Sequence, residues 1–367
     1  MQTSTFMLLL VAMILIVILY KRYQEKYSYI SEKYIFTHLQ NNVLLDKSFE
    51  KNKKPILWIY IPYEQNERKW LSFGSRNTTE LNQPYLNLTV KSIIKNCDKS
   101  FKICIIDDNS FEKLIPGWNI NMSLLANPIL SYVRQMSIAK LIYRYGGISV
   151  PVSFLCFKNL DTLYYKGIKN NRMFIGENVD NNITSTHHDF YPNIGLMGAE
   201  KENETVGQLI DFMQRIISTD YTSQAEFLGD FNRWCQKRVE TNKIYLINGN
   251  EIGTKTLDDE PVLIENLLSD DYINYYKDMY GIWIPNDMIL KRTNYNWFAR
   301  MSPDQIMNGN FILAKYILLA SSPDSHLGVI EPLTQKPDWV SFWKVPSGAP
   351  VWGLKPIDLG YVPRVKN

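Results

Sequence analysis

Lys140-Leu-Ile-Tyr-Arg-Tyr-Gly-Gly-Ile-Ser-Val-Pro-Val-Ser153 is the stretch that decides the fold. It reads as a helix running into Tyr145, a break at Gly146-Gly147, and a strand that starts at Ile148. Upstream, helical apolar spacing extends back to about Ile129, and downstream the strand continues to Cys156. Further out, Ile56-Leu-Trp-Ile-Tyr-Ile61 is too continuously apolar for a half-exposed strand and reads as a buried central one. Leu86 to Cys97 carries helical spacing through Leu88, Val90, Ile93 and Ile94. Phe101-Lys-Ile-Cys-Ile-Ile106 is a second buried strand and ends in Asp107-Asp108-Asn109. Strands alternating with helices predict an α/β fold with a mostly parallel sheet in three layers. Such sheets bind ligands at the carboxyl ends of their strands, which puts Asp107, Asp108 and the Pro151–Ser153 turn in the expected crevice.

The chain of 367 residues is 45% hydrophobic and 13% aromatic, ample for a packed core. A net charge of +3, with no basic block, argues against a nucleic-acid partner. Phe6 to Tyr20 is an uninterrupted apolar run, followed at once by Lys21 and Arg22. It spans roughly 22 Å against a hydrocarbon core of about 30 Å, a gap that Thr3–Thr5 and local bilayer thinning can close. With no positive n-region and no small-residue cleavage site, a membrane anchor is favoured over a cleaved signal. The basic residues after the run keep the body on the cytosolic side of a host or virion membrane. Sequons at Asn77, Asn87, Asn121, Asn182 and Asn203 count little against this in an Asn-rich chain. Cys97, Cys104, Cys156 and Cys235 show neither metal-ligand nor redox spacing, and reduced, buried thiols fit a cytosol-facing body.

The helix ending in Tyr-Gly-Gly, followed by a strand, resembles the core of sugar-nucleotide glycosyltransferases of family 32 and the capsular-polysaccharide type. In those the strand after Tyr-Gly-Gly carries Asp-x-Asp, which holds a divalent metal against the nucleotide diphosphate. Phe101 to Asp108 resembles their second strand. Tyr191-Pro-Asn193 through Met213 is similar to the segment where an Asn precedes a short strand and a helix that closes the sugar pocket. Leu246 to Leu268, with Gly253-Thr-Lys255 and Asp258-Asp259, is similar to the region near the acceptor side. The resemblance covers roughly Lys54 to Ser269 and implies a GT-A-like α/β/α domain. Its implied nucleotide-sugar contacts are Asp107, Asp108, Gly146, Gly147, Ser153 and Asn193. The residue bias and the Pro-x-Ser-Phe strand also resemble proteins of large DNA viruses.

Departures from the family pattern are as informative. The two Asp positions are Pro151 and Ser153, which cannot replace two carboxylates on a hard cation, so neither Mn²⁺ nor Mg²⁺ is expected. The Asp and Arg usually found eleven and eight residues before the first Gly are Gln135 and Ile138, with Arg134 one position off. A metal-free site would need basic groups in their place, and Lys140, Arg144, Lys255 and Arg292 are the candidates. His187-His188-Asp189 reads as a polar loop, and His326 lies in a loop-like Ser-Pro-Asp-Ser-His context. Trp339, Trp343 and Trp352 in a Pro-broken tail, with Tyr295-Asn-Trp-Phe298 upstream, suit a segment stapled to the body or a protein-partner surface.

The expected organisation is an anchor over 1–22, a helical stem over 23–52, the GT-A-like domain over 53–275 and a Trp/Pro-rich extension over 276–367 packed on the body. The preferred function is a membrane-anchored glycosyltransferase-like protein that is non-catalytic or structural, with no catalytic residue assigned. The alternative is a metal-independent transferase that moves a hexose from a nucleotide sugar to a glycan or protein.

Overall fold

The computed structural model describes Met13 and residues 54–61, 83–125, 129–179, 189–219, 224–291, 295–301 and 303–321. The chain divides into units of residues 1–51 and 52–367, and the elements from Ile56 to Ser321 belong to the second. The apolar run 6–20, the stem, His187, His188, Arg292, His326 and the tryptophans of the tail lie outside the described residues, Met13 excepted. No helix among the described residues is long and apolar enough to cross a membrane.

Strand β1 (Ile56–Tyr60) is central, as its unbroken apolar run predicts: Leu57, Trp58 and Ile59 are fully buried. Helix α1 (Pro84–Cys97) opens on Pro84, whose fixed φ suits a first helical turn. Strand β2 (Lys102–Ile106) lies parallel to β1 in the register Ile56↔Lys102. Helix α2 (Ser110–Leu114) is short, and α3 (Ile129–Tyr145) ends where the Gly-Gly pair begins. Gly146 and Gly147 have φ of +71° and +104°, left-handed conformations that a side chain resists.

The strand expected over Ile148–Cys156 is two strands. Strand β3 (Gly147–Pro151) pairs parallel with β1, and β4 (Phe154–Cys156) turns away after Val152-Ser153 to join a second sheet. The break follows from competing partners. The Thr89 hydroxyl donates to Val152 O at 2.6 Å, and Ser92 Oγ accepts from Cys156 N at 2.9 Å. These bonds draw the chain onto α1.

After α4 (Asp161–Gly167) come β5 (Met173–Val179) and β6 (Phe190–Ala199). Next are α5 (Glu204–Thr219), α6 (Gln224–Glu240) and β7 (Ile244–Ile247). Among the described residues the main sheet has six strands, in the order β2-β1-β3-β6-β5-β7. Only β6 runs against its neighbours, antiparallel to β3 and β5, so the architecture is mixed α/β with a mostly parallel central sheet. Five strands therefore present their carboxyl ends at one edge.

Helix α7 (Ile264–Leu268) precedes β8 (Gly281–Trp283), which pairs antiparallel with β4. The described chain closes with α8 (Asn286–Lys291), α9 (Asn296–Arg300), α10 (Pro303–Met307) and α11 (Ile312–Ser321). These share one apolar core with Tyr85 and Leu88 of α1 and Leu155 of β4. Tyr295, Trp297 and Phe298 are buried in that core, with Tyr85 and Phe298 ring centroids 4.8 Å apart. Their aromatic load stabilises the body and is not offered to a partner surface.

Candidate functional site at the carboxyl edge of the sheet

The carboxyl ends of β1 and β2 hold a part-buried polar cluster. Asp108 accepts a two-pronged bond from Arg134, at 3.1 Å from Nε and 2.7 Å from the terminal nitrogen. The Tyr60 hydroxyl donates to Asp108 Oδ1 at 2.6 Å. The Arg134 guanidinium also lies 5.8 Å from the Tyr60 ring centroid, and Tyr60 stacks on Phe111. Burial pushes the Tyr60 phenol above its ordinary value, and the bond to Asp108 adds to this, so Tyr60 stays a donor.

Arg134 is the residue that sequence spacing set aside. Gln135 and Ile138, the positions expected to carry polar anchors, lie on the less buried side of α3, while Arg134 and Ser137 face inward. The signal was present: an arginine between Val133 and Met136 on an otherwise apolar face needs a buried carboxylate. Asp107, next to Asp108, does different work. Its carboxylate accepts from Ser110 N at 2.9 Å and Ser110 Oγ at 2.6 Å, which caps α2.

The turn after β3 is closed. Ser153 is fully buried, and its hydroxyl donates to Ile284 O at 2.8 Å, with Asn286 Oδ1 at 3.3 Å. Ser153 O accepts from Ile284 N in return. Pro151 offers no polar side chain. This donor set does not fit a divalent cation, which calls for charged or carbonyl oxygens left open. Among the described residues, no three His, Cys, Asp or Glu side chains group as a metal site.

Asn193 also lies toward this edge, because β6 runs antiparallel to β3 from Ser149↔Met197 back toward Phe190. Its side chain accepts from Gly195 N at 2.9 Å, inside an irregular stretch of β6 opposite Ile175 and Gly176. The Trp283 ring packs over that stretch, where a Cβ on Gly195 would come within 2.8 Å of it.

A second polar cluster closes the ends of β5 and β7, three strand spacings or about 14 Å from β1. Lys255 Nζ bridges Glu177 Oε2 at 3.0 Å and Asp259 Oδ1 at 3.1 Å, and Gly249 N donates to Glu177 at 2.8 Å. Burial works against the Lys255 charge, but the bonds to Glu177 and Asp259 outweigh it and the pKa is raised. Glu177 gave no sequence signal, since it stands in a strand that neither alternation nor resemblance picked out.

Gly146 and Gly147 are not part of this edge. They open β3 beside Ile56, about 13 Å from Pro151 along the strand. Gly146 O accepts from Trp58 Nε1 at 3.0 Å, and a Cβ on Gly147 would sit 2.1 Å from Ile56 O. Arg144 lies at that same far end of α3, over the Tyr145 ring, and burial lowers the pKa of half-buried Lys140. The structure thus gathers Asp107, Asp108, Ser153 and Asn193 at one edge and leaves the two glycines at the other.

No protein-family model and no curated protein matches the sequence. Among the solved structures that align with part of the chain are the following three. The apo form of the glycosyltransferase GlyE of Streptococcus pneumoniae TIGR4 is 10% identical over 54% of this chain, with a TM-score of 0.30. That alignment spans 46% of the GlyE chain, less than half its length. The galactosyltransferase LgtC, in complex with donor and acceptor sugar analogs, is 11% identical over 53% of this chain and 73% of its own, with a TM-score of 0.28. An active-site mutant of LgtC aligns with 10% identity over the same shares, at a TM-score of 0.29.

Proposed function

We propose that this chain is a glycosyltransferase-like GT-A protein, held at a membrane by residues 6–20, whose crevice no longer supports metal-assisted transfer and serves a structural or binding role. One observation carries the reading: the polar groups at the carboxyl edge spend their bonds on one another. Ser153 is committed to Ile284, Asp108 to Arg134 and Tyr60, and Glu177 to Lys255 and Gly249. A departing nucleotide diphosphate needs positive charge to offset what develops on it. Among the described residues, the buried cations at this edge, Arg134 and Lys255, already face carboxylates. The same fact weighs against a metal-independent transferase, which would use those cations as its phosphate clamp.

The test is calorimetric titration of UDP, GDP and their hexose conjugates into the full chain in detergent micelles, with and without Mn²⁺, alongside an assay for donor hydrolysis. The expected result is no Mn²⁺-dependent binding and no turnover. Micromolar binding strengthened by Mn²⁺ would overturn the proposal. Turnover indifferent to Mn²⁺ would establish the metal-independent transferase instead.

A further inference from the structure

The sequons at Asn87, Asn121 and Asn203 fall among the described residues, and the fold treats them differently. Asn121 and Ser123 are both exposed, and Asn121 Oδ1 accepts from Ser123 N at 3.1 Å and from Ser123 Oγ at 2.7 Å. Asn87 is half-buried on α1, and the Thr89 hydroxyl of its sequon is committed to Val152 O. Asn203, in Asn203-Glu204-Thr205, is only 2% exposed. An acceptor sequon ordinarily lies on a surface loop, because the glycan it receives is bulky and hydrated. This one is inside.

Both ends of the Asn203 amide are engaged. Its Oδ1 accepts from Thr205 N at 3.0 Å and from Val206 N at 3.2 Å, which satisfies the first turn of α5. Its Nδ2 donates to Asn171 O at 2.7 Å and lies 3.4 Å from Asn171 Oδ1. Asn171, at φ +53°, belongs to the turn that leads into β5, so one amide pins that turn to the start of α5. Behind it Val206, Leu209 and Met213 are fully buried, and the Tyr143 ring of α3 lies against Gly207, where a Cβ would meet it at 3.2 Å. The cap and the seat of α5 on α3 therefore form together.

We infer that Asn203 is an N-glycan acceptor in the unfolded chain, and that its modification and the folding of the body exclude each other. The donor is an oligosaccharide carried on a lipid diphosphate. Asn203 Nδ2 bonds to the anomeric carbon of the first sugar as the bond from that carbon to the diphosphate oxygen breaks. The lipid diphosphate leaves with the electron pair, and one Nδ2 proton is released. In the folded chain the sugar would have to occupy the space now filled by Asn171 and the start of α5, and a close-packed interior has no room for it. Transfer to the unfolded chain keeps the cap from closing; a closed cap keeps Nδ2 from the donor. A chain with a folded body is thus one that escaped transfer at Asn203. Where residues 6–20 hold the chain at a membrane, the face without the transferase is the one on which the body folds.

The experiment synthesises the full chain in a cell-free system with detergent micelles, a single-subunit oligosaccharyl transferase and its lipid-linked donor. The transferase is present during synthesis in one arm and added after folding in the other. Chains that resist brief trypsin digestion are separated from those that do not, and glycopeptides of each fraction are mapped by mass spectrometry. With transferase present during synthesis, the Asn203 glycan is expected in the trypsin-sensitive fraction and lost from the resistant one. With transferase added after folding, Asn121 should be modified and Asn203 should not. Thr205→Ala removes the sequon, leaves the Asn203 cap, and should return chains to the resistant fraction in the first arm. If that variant does not fold, the two wild-type arms decide alone. An Asn203 glycan in trypsin-resistant chains overturns the inference, as does transfer to Asn203 after folding. Absence of any glycan at Asn203 in both arms also overturns it, since the position would then be no acceptor.

Discussion

Asp108 and Arg134 meet from elements far apart in sequence, with side chains only 20% and 9% exposed. A pair so withdrawn from water behaves unlike a surface ion pair, because removing one partner strands the other in a poor solvent. Arg134→Met keeps the length and apolar stem of the side chain but leaves the Asp108 carboxylate with the Tyr60 hydroxyl as its remaining bond among those described above. The expected loss is roughly 2–4 kcal/mol, read from the urea midpoint at neutral pH. A loss well under about 1 kcal/mol would mean that the pair is screened like an exposed one. Ser153 shows the same principle at a neutral group, since its single proton is committed to Ile284 O and the hydroxyl is unavailable as a donor to a ligand.

The joint between α3 and β3 depends on two glycines with unequal tolerance. Gly146 at φ +71° sits in the left-handed well that side chains visit at modest cost, and its added Cβ would approach Lys201 N at 2.9 Å. Gly147 at φ +104° lies outside that well, and its Cβ would fall 2.1 Å from Ile56 O, inside the β1–β3 ladder. Gly147→Ala should therefore cost at least about 4 kcal/mol or prevent folding, while Gly146→Ala should cost about 1–2 kcal/mol. Soluble yield and thermal midpoint of the two variants check the order; a reversed order would refute the steric account. The pair serves the path of the backbone from helix to strand at the amino end of the sheet. A Tyr-Gly-Gly motif can thus persist without the chemistry that accompanies it elsewhere.

Across the whole molecule, burial raises the pKa of Tyr60, Tyr85, Tyr164, Tyr275, Tyr280 and Tyr316, with Tyr164 pushed up to about 12. A group that holds its proton more tightly when folded adds stability below its unfolded pKa, here about 10 for tyrosine. That contribution is lost as pH rises from there through the folded values, because the unfolded chain then ionises and the folded one resists. Urea midpoints are expected to hold near pH 8 and fall steeply above about pH 10. Tyr60→Phe should flatten that fall, since one resisting phenol is gone. A midpoint unchanged up to pH 11 would contradict the burial of these hydroxyls.

The elements built on local pattern were legible in the sequence. The apolar runs of β1 and β2, the spacing of α1 and α3, and the Gly-Gly break depend on neighbours within one or two turns. They were enough for an alternating α/β chain with a mostly parallel sheet and a crevice at its carboxyl edge. The reversed strand β6, the split of β3 from β4, and the pairing of β4 with β8 were not legible, because a strand's partner is chosen by packing across the sheet. The site followed the same division. Two acids at the end of β2 announced themselves, but their separate roles did not: Asp107 turned inward to cap α2, and Asp108 reached Arg134 on α3. By itself the sequence determined which residue types stand at the crevice, including Pro151 and Ser153 where carboxylates would be needed. Only the tertiary structure decided that Asp108 and Ser153 find their partners, since the bonds to Arg134 and to Ile284 join residues 26 and 131 positions apart and form only when the sheet assembles.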